Sequence, residues 1–274
     1  RNAAEDYVLD ISGWGQNFSL ELTENQHLLE NLPAPDRAAL LSGGDRFLSG
    51  KLAGVPGSWV RLNRINGQIS GVFYDGATLF LIDSPKGFEV TSGVPAPSSA
   101  TILYRFNDLE FEGLIDDGGV PSGLPPQSTD NQEAFLGHVR GTAQMQGEMT
   151  MPITIVADTD FKDDLGNSAR STAIGRLNFV DGIFASQLGV GLSLWHYAQL
   201  QDNGPLVSTD SNTLLTSEFR SFMTSGDGSI IPFRGLAHLF TGRNLDGSTV
   251  GIAYIGVLCS RFAGYGVNQN LSSD

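Results

Sequence analysis

The sequence predicts an α+β protein with a β-rich first half and an α/β second half. Residues 7–115 alternate short apolar runs with Gly, Asp and Pro, a period-two pattern that is typical of antiparallel strands. The second half instead alternates apolar strands with a long amphipathic helix. Between the halves, residues 116–132 are rich in Gly and Pro, which indicates a connector rather than a folded core.

The first half is predicted to be a β-sandwich or an open barrel with one short helix. Strands are expected at residues 7–11, 18–22, 59–62, 71–74 and 78–82. The helix is expected over residues 35–41, because Pro35 suits a first helical position and Ser42 and Gly43 end the segment. The expected domains are a β-rich domain at 1–115, a protease-accessible linker at 116–147 and the α/β part at 148–274.

The second half is predicted from one long helix and its flanking strands. Ser168 is a suitable N-cap, and apolar residues at three- and four-residue steps continue to residue 187, with Asp181 as the single polar break. Gly189 ends this helix. Strands are expected at residues 151–157 and 190–195, and shorter helices at 214–223 and 233–240.

Charge and composition exclude two classes of protein. The net charge of −14 argues against nucleic-acid binding, since phosphate contacts need clustered Lys and Arg. No apolar stretch of about 18 residues is present, so no membrane span is predicted. Residues 1–6 lack the apolar segment of a signal peptide, as expected if such a peptide has been removed.

Few side chains suggest metal chemistry. Four histidines are isolated in the sequence: His27, His138, His196 and His238. His238 is expected to be a structural residue in a short helix, because no second ligand lies at helical spacing. Four aspartates follow the strand at 151–157: Asp158, Asp160, Asp163 and Asp164. Their spacing fails the calcium-loop pattern, so a solvated, capped turn is expected.

Cys259 is the only cysteine, so it has no partner for a disulfide within this sequence. Two alternatives remain, a buried free thiol, which base rates favour, or a disulfide to another segment. Before it, Asp246-Gly247 is a strong turn signal, and the Val- and Ile-rich run that follows favours a strand.

Two segments resemble the adamalysin/reprolysin group of metzincin zinc proteases, in the order in which that family has them. The first is similar to the propeptide signature G-x-x-x-G-x-P-x-S-x-V-x-L with two later glycines, and its residues are Gly50, Gly54, Pro56, Ser58, Val60, Leu62, Gly67 and Gly71. The second is similar to the early part of the catalytic domain, at residues 155–158, 237–242, 246–247, 250–256, 259 and 264–269.

The resemblance implies a secreted zinc metalloendopeptidase zymogen that cuts peptide or protein substrates, with a β-rich propeptide, a maturation region at 116–147 and a metzincin-like catalytic part. It implies that the zinc ligands, a catalytic glutamate that activates zinc-bound water and the remainder of the catalytic domain lie beyond Asp274, so this chain alone would be inactive. A substrate-binding edge strand is implied at Thr249, Val250, Gly251, Ile252, Ala253 and Tyr254. Cys259 is implied to form a disulfide with a cysteine outside this chain.

Three departures from the family pattern limit this resemblance. No H-E-x-x-H motif is present, so this chain alone is not expected to bind catalytic zinc. Ile65 stands where the family has its propeptide cysteine, so latency through a thiolate cannot operate. Pro152 and Gly235 stand where acidic calcium ligands would be expected, which makes structural calcium doubtful.

Two other functions remain open. A catalytically inactive metzincin-like binding protein would keep the fold and lack the zinc motif. A β-rich adhesion or carbohydrate-binding protein would use the glycine-rich, aromatic-bearing first half, and sugar binding by residues 1–115 would favour it.

Overall fold

The structure is a computed structural model that describes residues 6–92, 95, 101–108, 149–247 and 249–270. Its first half is one antiparallel sheet of seven strands that lie in sequence order. The strands are β1 (Tyr7–Gly13), β2 (Gln16–Glu24), β3 (Arg46–Leu52), β4 (Trp59–Ile65), β5 (Gln68–Tyr74), β6 (Leu79–Asp83) and β7 (Ile102–Arg105). The helices are α1 (Gln26–Leu29), α2 (Ala34–Ser42) and α3 (Pro85–Ser92), and a 3-10 turn (Phe106–Asp108) follows β7.

The β-rich first half and its short helix are confirmed, and the sheet is an open half-barrel rather than a sandwich. Its concave face is filled by apolar side chains from the strands, namely Phe18, Leu20, Leu22, Leu48, Leu52, Val60, Leu62, Phe73, Phe80 and Ile82. The predicted linker at 116–147 lies outside the described residues, so the predicted domain boundaries remain a prediction.

Two glycines of the first signature are needed because neighbouring strands approach them closely. A Cβ on Gly50 would lie 2.0 Å from the carbonyl oxygen of Glu21 on β2. A Cβ on Gly71 would lie 2.8 Å from the carbonyl oxygen of Arg61 on β4. Ser58 closes the turn between β3 and β4, because its hydroxyl accepts from the Leu52 amide and donates to the Val55 carbonyl. Close packing of neighbouring strands and the turn between β3 and β4 therefore explain these residues of the signature.

The second half is a mixed sheet of five strands in the order β11-β12-β10-β8-β9. The strands are β8 (Met149–Ala157), β9 (Val190–Gln199), β10 (Leu236–Thr241), β11 (Gly251–Ala253) and β12 (Tyr265–Gln269). The helices are α4 (Thr159–Leu165), α5 (Ala169–Leu188), α6 (Ser211–Thr213), a π-helical stretch (Leu214–Phe219) and α7 (Arg220–Ser225), with 3-10 turns at Gly166–Ser168 and Asp227–Ile230. Only β11 is antiparallel to its neighbour.

The long helix is confirmed as α5, although Ser168 does not cap it with its side chain. The Ser168 hydroxyl instead donates to the carbonyl oxygen of Leu165 at 2.6 Å. The helix predicted at 214–223 is also present, as part of the continuous helical segment from Ser211 to Ser225. Gly189 adopts a left-handed conformation after α5, as its position in the sequence predicts.

The helix predicted at 233–240 is wrong, because most of this segment is the strand β10 at the centre of the sheet. Its burial alternates, with Ala237, Leu239 and Thr241 buried and the residues between them partly exposed. β10 pairs in parallel with both β8 and β12. Backbone pairing on both sides therefore outweighs the helical preference of Ala and Leu.

The two halves share one hydrophobic core. From the first half, Leu28, Leu29, Leu32, Leu40 and Phe47 pack against Ile153, Ile155, Ala157, Phe161, Ala169, Ala173, Ile174, Leu177, Leu192 and Leu194 from the second. A second core lies on the other face of the β8–β12 sheet, under the segment 211–225. No helix in the described parts of the chain is long and apolar enough to cross a membrane.

The first sheet packs against α5 through two helical glycines one heptad apart. A Cβ on Gly175 would lie 2.6 Å from the Asn63 amide nitrogen on β4. A Cβ on Gly182 would lie 2.5 Å from the Trp59 ring and 2.7 Å from the Arg61 side chain. The face of α5 that meets β4 must therefore lack side chains at these two positions.

The carboxyl ends of β8 and β10 are joined by a buried ion pair. Asp158 is fully buried and caps α4, because its Oδ1 accepts from the amide of Phe161 at 2.7 Å. Its Oδ2 accepts from the Arg243 guanidinium at 3.0 Å, and the same guanidinium donates to Asp160 at 3.0 Å. The expected capping is found at Asp158, which is buried, whereas Asp163 and Asp164 are exposed to solvent as expected.

Replacement of Gly182 by Ala should destabilise the protein, although Ala is the better helix former by about 1 kcal/mol. The added methyl group meets Trp59 and Arg61, so we expect the free energy of unfolding to fall by about 1–3 kcal/mol in denaturant titrations. Gln187→Ala, on the exposed side of the same helix, should change it by less than about 0.5 kcal/mol. Equal effects of the two variants would contradict close packing at this site.

Replacement of Arg243 by Met should lower the free energy of unfolding by about 3–5 kcal/mol, because the buried Asp158 carboxylate loses its counter-charge. Lys51→Met is a matched control, since Lys51 pairs with Glu21 on the surface and the loss should be at most about 1 kcal/mol. Thermal melts of both variants at neutral pH make the comparison. Similar melting temperatures would mean that Asp158 is stabilised without Arg243.

Candidate functional site

The strand β11 forms one edge of the five-stranded sheet, and the chain enters it through the predicted turn. Gly247 has a left-handed conformation, and the Thr249 amide donates to the Asp246 carbonyl at 3.2 Å, which closes the turn. The Asp246 carboxylate accepts from the Ser211 amide at 2.7 Å, and this hydrogen bond holds the pKa of Asp246 below its usual value. The turn is therefore fixed to the start of α6.

The hydrogen bonds between β11 and β12 decide which backbone groups of the edge are free. The Val250 carbonyl accepts from the Gln269 amide, and the Tyr254 amide donates to the Tyr265 carbonyl. In an antiparallel pair, alternate residues point towards the partner strand. The N–H and C=O groups of Gly251 and Ala253 consequently point away from β12, and no other strand in the described part of the chain pairs with β11 there.

The edge strand is shorter than the sequence predicted. β11 contains three of the six residues, Gly251, Ile252 and Ala253, while Thr249 and Val250 precede it and Tyr254 follows it. Tyr254 is buried, and this burial raises the pKa of its hydroxyl. Substrate binding by these six residues stays a prediction.

Cys259 lies in the exposed loop between β11 and β12, so the alternative of a buried thiol is wrong. Its backbone is left-handed, with φ 62°, and its amide donates to the Gly235 carbonyl at 3.1 Å. Exposed apolar side chains surround it in the sequence: Ile255, Leu258 and Phe262. A disulfide to a cysteine outside this chain stays a prediction.

His238 lies on β10 rather than in the predicted helix, on the face of the sheet that also carries α5. Leu236 and Phe240, two residues to either side, belong to the core beneath α5. The imidazole Nδ1 of His238 is 2.8 Å from the Asn268 side-chain oxygen on β12. Burial lowers the pKa of His238, which favours the neutral ring. A structural role for His238 agrees with these contacts.

The described residues hold no group of three or more His, Cys, Asp or Glu side chains that could bind a metal ion. His27 lies on α1 and His196 on β9, while His138 lies outside the described residues. The described histidines therefore do not form a catalytic zinc site among themselves. Gly235 is also unsuited to an acidic calcium ligand, since its φ is +77° and a Cβ would lie 2.2 Å from the Pro152 carbonyl oxygen.

A cavity of about 400 Å³ lies where α2 meets the carboxyl end of β9, far along the sheet from β11. Its lining residues are Asp36, Lys162, Gly166, Asn167, Ala169, Arg170, Tyr197 and Gln199. The Arg170 guanidinium lies 5.7 Å from the centre of the Tyr197 ring, and the Tyr197 hydroxyl donates to Gln199. Several polar groups of the cavity therefore already contact one another. No sequence motif indicates this cavity.

Comparison with known proteins gives three findings. Residues 147–273 match a family model described as Reprolysin_5, metallo-peptidase family M12. Human disintegrin and metalloproteinase domain-containing protein 11 is 25% identical over 94% of this chain, which covers 35% of that protein. The mouse protein 22 of the same series is 26% identical over 94% of this chain, which covers 30% of that protein. The chain thus spans about a third of the length of these curated relatives.

A solved structure supports the fold over nearly the whole chain. The crystal structure of metalloproteinase-II from Bacteroides fragilis covers 97% of this chain, and this chain matches 75% of that protein with a TM-score of 0.51. At 10% identity, this likeness concerns the fold alone. The family model supports the resemblance to the M12 reprolysin family over residues 147–273, and the solved structure adds support for the fold.

Proposed function

We propose that this chain is the propeptide and the N-terminal part of the catalytic domain of a secreted zinc metalloendopeptidase. The observation that carries the proposal is the M12 match at residues 147–273, with β11 at an open edge of the sheet. In this proposal residues 1–115 are the propeptide, 116–147 contain the maturation site, and the zinc ligands lie beyond Asp274.

The outward groups of β11 would bind the backbone of an extended substrate. Gly251 and Ala253 each offer one N–H and one C=O on the free side, so a peptide can add as a further strand. Backbone pairing fixes the direction and register of the substrate without demanding a particular side chain. This part of the chain would therefore position the scissile bond, and other residues would supply the chemistry.

The continuation of the chain would cover the open face of the sheet next to α5. Over β10 and β12 this face carries the partly exposed side chains of His238 and Phe240, beside the backbone of Gly266. β12 ends beside α5, where the Arg176 side chain donates to the Asn270 side chain. A helix that follows β12 could turn back over this face from that point. Cys259 would join the exposed loop after β11 to a later segment.

Latency would not depend on pairing between the first sheet and β11. The first half contacts α5 and β9, whereas β11 lies at the opposite edge, about 19 Å away at four strand spacings. The described strands of the first half therefore do not pair with β11. No cysteine is involved, since Ile65 stands at the expected position.

The test is cleavage of the full-length protein between residues 116 and 150, followed by assay on a mixture of fluorogenic peptides. We expect endopeptidase activity to rise on cleavage and to disappear with a zinc chelator. Sequencing the reading frame beyond Asp274 should show a metzincin zinc motif. A frame without that motif and a cut protein without activity would favour an inactive binding protein of the same fold.

Replacement of Ala253 by Pro in the cleaved full-length protein tests the edge strand. Proline removes the outward N–H and leaves the pairing with β12 intact, so kcat/KM for peptides should fall about tenfold, as expected for loss of one hydrogen bond. Ala253→Val keeps the N–H and should retain activity within about threefold. If both variants behave alike, the substrate does not pair with β11.

A further inference from the structure

A buried polar cluster joins the two halves across α5. It consists of Asn178 and Asp181 on α5 and of Asn25, Arg61 and Asn63 from the first half. Asp181 is 1% exposed and Asn178 is 0% exposed. The sequence marks Asp181 as the polar break in the apolar stripe of the helix, but gives no indication of its partners.

Both carboxylate oxygens of Asp181 accept strong hydrogen bonds. Oδ2 accepts from the Arg61 guanidinium at 2.8 Å and from the Asn25 amide at 3.1 Å, and both donors belong to the first half. Oδ1 accepts from the Leu192 backbone amide of β9 at 2.7 Å. The carboxylate is thus satisfied only while the halves are together, because departure of the first half removes two of its three donors.

Asn178 makes a second set of hydrogen bonds across the same interface. Its side-chain oxygen accepts from the Asn25 amide at 2.9 Å, and its amide donates to the Asn63 side chain at 2.9 Å. The same amide lies 3.3 Å from the Leu48 carbonyl and 3.4 Å from the Leu62 carbonyl. The Asn178 side chain therefore contacts the backbone of both β3 and β4, and these contacts fix the register of the first sheet against α5.

Burial of apolar side chains also holds the two halves together. The core beneath α5 contains side chains from α1, α2 and β3 as well as from β8 and β9. In the turn after α1, Asn31 also donates to the Ser193 hydroxyl of β9 at 2.7 Å. Separation of the halves would expose both sets of apolar side chains to water and leave Asp181 without its counter-charge.

We propose that the first half remains bound to the second as a non-covalent subunit after the connector is cut, with the α5 surface as its docking site and Asp181 as the main polar determinant. The partner that fits this surface is the first half of this chain, a sheet that presents Arg61 and Asn63 from one strand and Asn25 from the segment before α1. The inference goes beyond the proposed function, because it concerns retention and requires no catalytic activity.

The experiment starts from the whole chain, folded intact, with a specific protease site inserted between residues 116 and 147. The second half carries a C-terminal affinity tag. After complete cleavage the protein is immobilised and washed, and release of the first half is followed over hours. For the wild-type sequence we expect the two fragments to remain together and to co-elute in size-exclusion chromatography.

Asp181→Asn keeps the shape of the side chain and removes its charge, so Arg61 loses its partner at a buried site. We expect release of the first half to become about 100-fold faster. Asp108→Asn is the matched control, since Asp108 accepts from Arg105 at the same 2.8 Å but on the surface. This control should release the first half within about twofold of the wild-type rate.

Prompt separation of the wild-type fragments after cleavage would overturn the proposal, and so would equal release from the Asp181→Asn and Asp108→Asn proteins. Circular dichroism of the uncut variants shows whether each is folded. If Asp181→Asn fails to fold, Arg61→Lys keeps the charge but not the guanidinium geometry, and release should be about tenfold faster. Because retention is measured without a substrate, its failure leaves the proposed peptidase function untouched.

Discussion

The Asp181 carboxylate is buried between two sheets, where an unpaired charge would cost several kcal/mol. It is accommodated only because the first half supplies the Arg61 guanidinium and the Asn25 amide, while β9 supplies the Leu192 amide. This requirement fixes the register of β4 against α5, since a shift of one residue would turn Arg61 to the opposite face of its sheet. The close approach at Gly175 and Gly182 then follows, because these donors reach Asp181 only when the strand lies directly on the helix.

Packing of α1 and α5 covers the β9 edge of the second sheet, whereas the β11 edge is free. At β9, contacts with α1 and α5 cover the sheet, whereas β11 has only β12 beside it in the described part of the chain. The free edge is nevertheless well positioned. Arg243 joins the end of β10 to Asp158, and Asp246 fixes the next turn to Ser211, so the chain enters β11 from two anchored points. An open but fixed edge is what recognition of an extended peptide requires.

The sequence predicts those features that depend on local pattern. Period-two alternation predicts most of the first sheet, and helical spacing with Ser168 and Gly189 predicts α5. Ala and Leu favour a helix in the segment 233–240, and only pairing with β8 and β12 makes most of it a strand. Arg61 and Asp181 are 120 residues apart, so no spacing rule connects them. The polar break at Asp181 was visible, but its meaning depends on a contact between the two halves.

If the first half is a propeptide, as proposed, its removal and the shared hydrophobic core make opposite demands on the same interface. Cleavage of the connector changes the connectivity of the chain but alters none of the buried contacts around α5. Release of the first half is therefore a separate event from cleavage, with its own free-energy barrier. The edge at β11 is distant from those contacts, so the first sheet can stay in place without pairing with that edge. In that arrangement the first half would act as a lasting part of the fold while the edge at β11 stays open. Loss of the first half would then remove support from α5, which carries much of the core under β8 and β9.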